Sequence, residues 1–325
     1  MGQAAATARQ ASTSIVLAQP IDGIDREARV GDFLINYNDS TKDQTAHDYD
    51  AIVVAIHGAP GSVRDFRYVA GALAENLSAT NVRFVRLDMP GHGQSRRVDG
   101  TPLNGAENLG EIVGDFIRWL QPDKPVVLMG HSMGAHICLS AAACNMGEIS
   151  GLALVNPIGL RPHKGISPLW LSQSISVPLD WPAFGHVWGE YVLRPLYLGL
   201  LGFSPRTSTA EICLSSRKVR TLSFRQANAD ARVVADEGLP CLVAWSSEDH
   251  LVEDDISVHL GTALPKGPRL AYDEGGHFSQ KHHAVDIVRA LLGMVSEQLP
   301  VFQADREDAT SPDDDETRIS GQAAQ

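Results

Sequence analysis

The sequence lacks the features that mark several large protein classes. No apolar run reaches the about 18 residues that a membrane-spanning helix needs, and the longest, at 191–203, is interrupted by arginine, proline and glycine. Lysine and arginine total 27 against 39 aspartates and glutamates, so the net charge is −12. No basic cluster of the kind that binds nucleic acid is present. We therefore expect neither a stable membrane span nor a nucleic-acid partner.

Cysteine is scarce, with four residues and no C-x-x-C pair. Their scatter along the chain predicts free thiols in a reducing compartment rather than a disulfide framework. The first 13 residues are rich in alanine, serine and threonine, contain Arg9 and lack acids. Such a start resembles a transit segment only faintly. We predict a cytoplasmic protein, with organellar targeting left open.

The segment Gly-His-Ser-Met-Gly at 130–134 is the most informative feature that is present. An apolar, β-prone run precedes it at 125–129, and a helix-like run follows at 135–143. A strand, a G-x-S-x-G turn and a helix together predict a nucleophile elbow that exposes the hydroxyl of Ser132. The two glycines are expected because a side chain at either position would collide with the tight turn.

A serine nucleophile needs a base and a group that orients the base, and in an elbow of this kind they follow in the order acid, then histidine. The strand predicted at 239–245 runs into a polar loop, where Asp249 is the predicted acid. Glu248 is the alternative. Asp254 and Asp255 are predicted to begin the next helix, where carboxylates favour the helix dipole.

His277 is the predicted base among 12 histidines. It follows the strand predicted at 269–272 and a Gly-Gly turn, and it precedes a long amphipathic helix. Asp249 would hold its far nitrogen in the required tautomer. His282 and His283, on the first turn of the helix, are expected to be solvated.

A second loop is suited to stabilising negative charge. The buried-strand run at 51–56 leads into His-Gly-Ala-Pro-Gly at 57–61. The expected oxyanion-hole donors are the backbone amides of Ala59 and Met133. Pro60 has no N–H and cannot donate, and His57 is expected to be a structural hydrogen-bonding residue.

Three motifs together resemble the α/β-hydrolase superfamily, in the branch that carries HGxPG and GHSMG. The third is Asp-Met-Pro-Gly-His-Gly-Gln-Ser at 88–95, similar to the D-x-P-G-x-G-x-S loop of these proteins. The likeness covers roughly residues 14–302. It implies that Ser132, Asp249 and His277 are the nucleophile, the orienting acid and the base, and that Asp88 and His92 are structural.

The pattern of predicted elements agrees with an α/β-hydrolase fold. Strands alternate with helices, which indicates a mostly parallel sheet covered on both faces. Strands are predicted at 14–18, 32–37, 52–56, 83–87, 126–129, 151–155, 239–245 and 269–272. Helices are predicted at 65–77, 109–120, 133–144, 254–260 and 284–299. The expected fold is therefore an eight-stranded sheet flanked by helices, with a helical cap inserted after the sixth strand.

The domain organisation follows from where this alternation breaks. The core is predicted at 14–156 and 239–302, and the cap at 157–238, which holds three of the five tryptophans. Aromatic residues of the cap are expected both to roof an acyl pocket over Ser132 and to form the cap's own core. Residues 1–13 are expected to be a flexible N-terminus, and the acidic residues 303–325 a disordered tail.

The predicted function is cleavage of a carboxylic ester by Ser132, without a cofactor or a metal. Epoxide hydrolases and haloalkane dehalogenases of the superfamily carry aspartate at the nucleophile position, so a serine favours acyl transfer. The single-glycine HGAP loop resembles esterases that accept medium or longer acyl groups, which predicts an apolar acyl substrate. A C–C bond hydrolase, thioesterase or amidase with the same residues is an alternative, as is a weakly catalytic or non-catalytic ligand receptor. The oligomeric state is not predicted.

Overall fold

The strand-forming runs of the sequence assemble into one twisted sheet. The computed structural model describes residues 8–10, 15, 17–40, 49–75, 77–264 and 266–310. Within these ranges the strands are β1 (Ala8–Gln10), β2 (Ile24–Val30), β3 (Phe33–Asp39), β4 (Ala51–Ile56), β5 (Val82–Leu87), β6 (Arg96–Arg97), β7 (Val126–His131), β8 (Gly151–Val155), β9 (Cys241–Ser246) and β10 (Arg269–Tyr272).

The strands run in the order β1-β10-β9-β8-β7-β4-β5-β3-β2, and β6 pairs with β3. The pairings from β1 through to β5 are parallel, whereas β2, β3 and β6 are joined by antiparallel pairing. The mostly parallel sheet is confirmed. Eight strands of four or more residues form its main part, and the long insertion follows the sixth of them.

The α-helices of the described residues are α1 (Arg67–Ala74), α2 (Leu109–Leu120), α3 (Met133–Cys144), α4 (Leu169–Ser174), α5 (Gly185–Trp188), α6 (Thr209–Thr221), α7 (Phe224–Asp236), α8 (Asp254–Ala263), α9 (Ser279–His282) and α10 (Ala284–Thr310). Short 3-10 segments lie at Val63–Phe66, Lys164–Ile166 and Val177–Asp180. Two π-helical segments lie at Gly189–Leu193 and Leu196–Leu200.

Both faces of the sheet are covered, as alternation along β4 shows. Ile52, Val54 and Ile56 pack into the hydrophobic cluster that contains residues of α2 and α3. Ala51, Val53 and Ala55 pack into the opposite cluster, with residues of α1 and α10. All six side chains are fully buried, because successive strand residues point to opposite faces and helices cover each of them.

The N-terminal expectation differs from the structure in two places. The described residues within 14–18 form no strand, and the strand lies at β2 instead. β2 is rich in charged residues, and four of its seven residues are exposed, which is compatible with its position at the edge of the sheet. The segment expected to be flexible, 1–13, contains β1, which pairs with β10; its other residues lie outside the described ranges.

The end of the last helix and the end of the cap also differ from the prediction. α10 continues to Thr310 rather than ending before the tail predicted at 303–325, and residues 311–325 lie outside the described part of the chain. α7 belongs to the core, because Ala227, Ala231 and Val234 pack into the cluster of α2 and α3. We therefore place the end of the proposed cap after α6, rather than at residue 238.

Candidate active site

A strained turn places Ser132 between β7 and α3. Ser132 has φ 52° and ψ −118°, a conformation that non-glycine residues rarely adopt. Its amide donates to the Val155 carbonyl at 3.0 Å. A Cβ at Gly130 would lie 2.6 Å from the Gly134 carbonyl oxygen, and one at Gly134 would lie 2.2 Å from that of Ile56. The glycines of the motif are therefore required by the packing.

Ser132, His277 and Asp249 form one line of hydrogen bonds. The Ser132 Oγ lies 2.9 Å from Nε2 of His277, and Nδ1 of His277 lies 2.7 Å from Oδ2 of Asp249. The imidazole and the carboxylate are both buried. If Nδ1 carries the proton and donates to Asp249, Nε2 is free to accept the proton of the serine hydroxyl.

The carboxylate of Asp249 is held in its ionised form. Burial raises its pKa, but the hydrogen bond and the charge of His277, together with the amides of Leu251 and Val252, lower it to about 2. Those amides donate to Oδ1 at 2.8 and 3.0 Å. Glu248, the alternative acid, is exposed.

The histidines after the Gly-Gly turn hold that turn rather than facing solvent as expected. His282 Nδ1 lies 2.8 Å from the carbonyl oxygen of Gly275, and His283 Nε2 lies 2.7 Å from that of Glu274. The ring of His283 also stacks on Tyr272, with 3.7 Å between centroids. Both rings therefore stabilise the loop that presents His277.

Asn156 is a site residue that the sequence analysis missed. It follows β8, is buried, and has φ 43°. Its Nδ2 donates to Oδ2 of Asp249 and to the carbonyl of Gly276, each at 3.1 Å, and its Oδ1 accepts from the Ser279 amide at 3.0 Å. Asn156 thus joins the acid to the loop of His277. The one available signal was a polar residue at the carboxyl end of a buried strand.

The amides expected to form an oxyanion hole lie at the same cavity as Ser132. Ala59 and Met133 both line this cavity, which we call the Ser132 cavity. Within the described residues, the Ala59 amide makes no hydrogen bond. Met133 is the first residue of α3, so its N–H has no acceptor within the helix. Neither N–H is therefore used by another hydrogen bond of the described residues, as an oxyanion-hole donor requires.

Buried polar residues next to the loop of Ala59 hold it in place through hydrogen bonds. His57 Nε2 accepts from the Met89 amide at 2.9 Å. Asp88 accepts from the amides of Val63 at 2.8 Å and Gln94 at 3.0 Å, and from the side chain of Asn36 at 2.7 Å. Their hydrogen bonds give His57 and Asp88 structural roles.

His131 supports the loop of His277 from the elbow. Its Nε2 lies 2.8 Å from the His277 carbonyl oxygen, so Nε2–H donates to that carbonyl. Burial lowers the pKa of His131 to about 3, and the nearby His277 contributes to the shift. His131 is therefore neutral at physiological pH.

The first residues of the insertion are fastened to the loop of Asp249. The Nζ of Lys164 donates to the Asp249 carbonyl at 2.8 Å. His163 Nδ1 and the Gly165 amide both contact the Leu251 carbonyl oxygen, at 2.9 and 3.0 Å. This part of the insertion is therefore a fixed wall of the Ser132 cavity.

The aromatic residues of the insertion divide into two groups. Tyr197 and Phe203 line the Ser132 cavity, with ring centroids 5.6 Å apart. Trp170 and Trp181 are more than half exposed and do not line it. Trp188 packs inside the insertion and donates to the Ile175 carbonyl at 2.8 Å. The expected roof is therefore formed by only a few of these rings.

The described ranges contain no group of three or more His, Cys, Asp or Glu side chains arranged to hold a metal ion. Among the helices of the described residues, none has the length and hydropathy that crossing a bilayer requires.

Comparisons with known proteins agree with the fold. The family described as "Alpha/beta hydrolase of unknown function (DUF1057)" matches residues 25–291. The dihydrolipoyllysine-residue acetyltransferase component of the acetoin cleaving system of Cupriavidus necator is 24% identical over 246 residues, 74% of this chain and 62% of that protein. Monoacylglycerol lipase of Mycolicibacterium smegmatis is 30% identical over 148 residues, 44% of this chain and 49% of the lipase. The chain thus spans less than two thirds of the length of either relative.

A solved structure with the same fold is that of haloalkane dehalogenase DbeA from Bradyrhizobium elkani. Its TM-score is 0.60 at 20% identity, and the alignment covers 86% of this chain and 99% of that one. Similarity at this level identifies the architecture, and function is argued from the site.

Proposed function

Because this chain belongs to the alpha/beta hydrolase family of unknown function DUF1057, we propose that it is a serine hydrolase that cleaves a carboxylic ester. The observation that carries the proposal is the hydrogen-bonded line from Ser132 through His277 to Asp249, at 2.9 and 2.7 Å. A serine is activated by a base that a third group orients, and these three side chains have that arrangement.

In the first step, Ser132 Oγ attacks the carbonyl carbon of the ester while Nε2 of His277 takes the hydroxyl proton. The carbonyl oxygen becomes an oxyanion, which accepts hydrogen bonds from the amides of Ala59 and Met133. The ionised Asp249 stabilises the imidazolium that forms.

The tetrahedral intermediate then breaks its bond to the alcohol oxygen. His277 returns its proton to that oxygen, the alcohol leaves, and the acyl group remains as an ester on Ser132. A water molecule next attacks the acyl carbon while His277 accepts one of its protons. His277 then protonates Ser132 Oγ as the carboxylic acid is released, so the enzyme returns to its starting state.

Two observations favour an ester with an apolar acyl group. The Ser132 cavity is lined mainly by apolar side chains, including Ile158, Leu201 and Leu222. Monoacylglycerol lipase of Mycolicibacterium smegmatis is among the relatives. The dehalogenase neighbour supports only the fold, and the serine at position 132 favours acyl transfer over the alkylation of a carboxylate.

The test is covalent labelling with a fluorophosphonate probe, combined with turnover of p-nitrophenyl esters from C2 to C12. We expect stoichiometric labelling at Ser132, and loss of labelling and turnover in Ser132→Ala. Ser140→Ala, which alters another serine of α3, is the matched control and should retain both. A folded protein that is neither labelled nor active would contradict the proposal and favour a non-catalytic receptor.

A further inference from the structure

The Ser132 cavity is too small to hold a long acyl group. Its volume is about 70 Å³, whereas one buried water needs about 10–15 Å³ of such space. The cavity therefore has room for about five water-sized groups. A short acyl group fits beside Ser132, but the further atoms of a longer chain need another space.

A second cavity, of about 440 Å³, lies inside the insertion. Its walls come from the 3-10 segment at Lys164–Ile166, α4, the second π-helical segment and α6, together with the loop after Asp249. Six residues line both cavities, so the two are neighbours, and a chain that extends from Ser132 into the second cavity has to pass between these shared side chains. The shared residues are Gly165, Ile166, Tyr197, Leu201, Val219 and Leu251.

The second cavity is suited to an apolar ligand. None of its lining residues is acidic, and most are aliphatic. The polar ones are largely engaged with the protein: Ser167 Oγ donates to the His163 carbonyl at 2.9 Å, and Lys164 Nζ donates to the Asp249 carbonyl at 2.8 Å. A methylene chain would therefore bury apolar surface here without displacing many hydrogen-bonded groups.

The second cavity reaches solvent at two residues that do not line the Ser132 cavity. Leu171 and Leu200 line the second cavity and are also 49% and 76% exposed. A chain that fills the cavity would thus emerge beside exposed apolar side chains instead of meeting a closed wall.

We propose that the second cavity binds the acyl chain of a long-chain ester whose carbonyl lies at Ser132, and that the far end of the chain leaves between Leu171 and Leu200. This inference rests on the proposed function and names its substrate class. It also predicts the shape of the chain-length profile. Each further buried methylene strengthens binding by about fourfold, so kcat/KM should rise with chain length and then level off, without a sharp upper limit.

Ser172→Trp is the variant that tests the assignment. Ser172 is half-buried, lines only the second cavity, and lies on α4, so a tryptophan there occupies space that the chain needs. The readout is the ratio of kcat/KM for the C12 ester to kcat/KM for the C2 ester. A smaller fraction of active enzyme lowers both values by the same factor, so it does not change the ratio. We expect the ratio to fall by about tenfold or more, the loss of about two buried methylene groups. Val187→Trp, at a 44% exposed position outside both cavities, is the matched control and should keep the ratio.

A binding measurement keeps the inference testable if Ser172→Trp does not fold. Ser132→Ala cannot form an acyl-enzyme, so its binding of a dansyl-labelled undecanoate reports the cavity alone. We expect saturable binding, displaced by laurate and not by acetate.

The outcomes separate the two proposals. Absence of fluorophosphonate labelling would remove the proposed function. Labelling at Ser132, with a C12/C2 ratio unchanged in folded Ser172→Trp, would overturn the acyl-chain site and leave the serine hydrolase standing. Failure of Ser132→Ala to bind the fatty acid probe would likewise overturn the site. A sharp fall in kcat/KM above a certain chain length would contradict the proposal that the far end of the chain leaves the cavity between Leu171 and Leu200.

Discussion

Asn156 and His277 share one oxygen of Asp249. The Nδ2 of Asn156 lies 3.1 Å from Oδ2, and Nδ1 of His277 lies 2.7 Å from the same atom. The other oxygen is occupied by two backbone amides. The carboxylate is therefore held by hydrogen bonds at both oxygens, in the orientation in which it meets the imidazole.

Removing the Asn156 amide should lower kcat more than it changes KM. Asn156→Ala loses a hydrogen bond to an ionised group, an interaction of about 1.5–3 kcal/mol. If that interaction orients Asp249, kcat falls by about 10- to 100-fold. Stopped-flow measurement of acylation and steady-state ester hydrolysis would give the changes in kcat and KM. Asn228→Ala, which also removes two hydrogen bonds from an Nδ2, should keep kcat; equal losses in the two variants would assign Asn156 a purely structural role.

Asp249→Asn should reduce kcat by about 10⁴-fold, because an amide favours the wrong tautomer of His277. The geometry of the site should stay intact, so fluorophosphonate labelling would be slowed while thermal unfolding changes little. Glu248→Gln alters the adjacent, exposed acid and should leave kcat near that of the unmodified protein. Near-normal turnover by Asp249→Asn would show that another acid holds the base.

Gly134→Ala should be strongly destabilising. The new Cβ would lie 2.2 Å from the Ile56 carbonyl oxygen, so α3 would have to move away from β4. We expect a loss of about 3 kcal/mol or more in the free energy of unfolding, measured with urea. Gly147→Ala adds a Cβ with nothing within 4 Å and is the matched control. A Gly134→Ala variant as stable as Gly147→Ala would be incompatible with this packing.

Buried histidines should make the protein less stable as the pH falls below neutrality. Burial lowers the pKa of His136 to about 4, and those of His92 and His131 to about 3. Below about pH 6.5 the unfolded chain binds protons at these positions that the folded chain does not. The stability that these neutral rings contribute is therefore present above about pH 6.5 and is lost progressively as the pH falls toward 4.

His136→Gln isolates one of these contributions. The slope of the free energy of unfolding against pH, between about 6 and 4.5, should fall by up to about 1.4 kcal/mol per pH unit. Urea unfolding at a series of pH values would measure it. His259→Gln, at an exposed position, should leave the slope unchanged. An unchanged slope in His136→Gln would mean that His136 takes up its proton in the folded state.

That Ser132, Asp249 and His277 lie together could be predicted because each has a local signature. Each follows a buried strand, and glycines mark two of the three turns. The carboxyl ends of parallel strands meet at one edge, so strand assignment alone brings the three together. The hydrogen bonds among the three depend on side-chain geometry, which the spacing of residues in the sequence does not determine.

The features that the sequence analysis missed depend on tertiary neighbours. Asn156 makes its hydrogen bonds to residues 93 and 123 positions away, and nothing near it in the sequence indicates them. The exposure of β2 at the sheet edge removes the apolar alternation that reveals a strand. α7 has an ordinary amphipathic pattern, and periodicity does not tell whether its apolar face meets the cap or the core.

The insertion has two parts that should tolerate substitution differently. Residues 163–165 are hydrogen-bonded to the loop of Asp249. A substitution of Lys164 would remove a hydrogen bond to the backbone carbonyl of Asp249, so changes in residues 163–165 should affect the position of the acid. The segment from α4 to α6 carries most of the second cavity and makes no hydrogen bond, within the described residues, to Ser132, Asp249 or His277. Under the proposed function, substitutions there should change the acyl preference without disturbing the hydrogen bonds among Ser132, Asp249 and His277. This segment is where divergence in substrate among related chains should concentrate, and where redesign of specificity should begin.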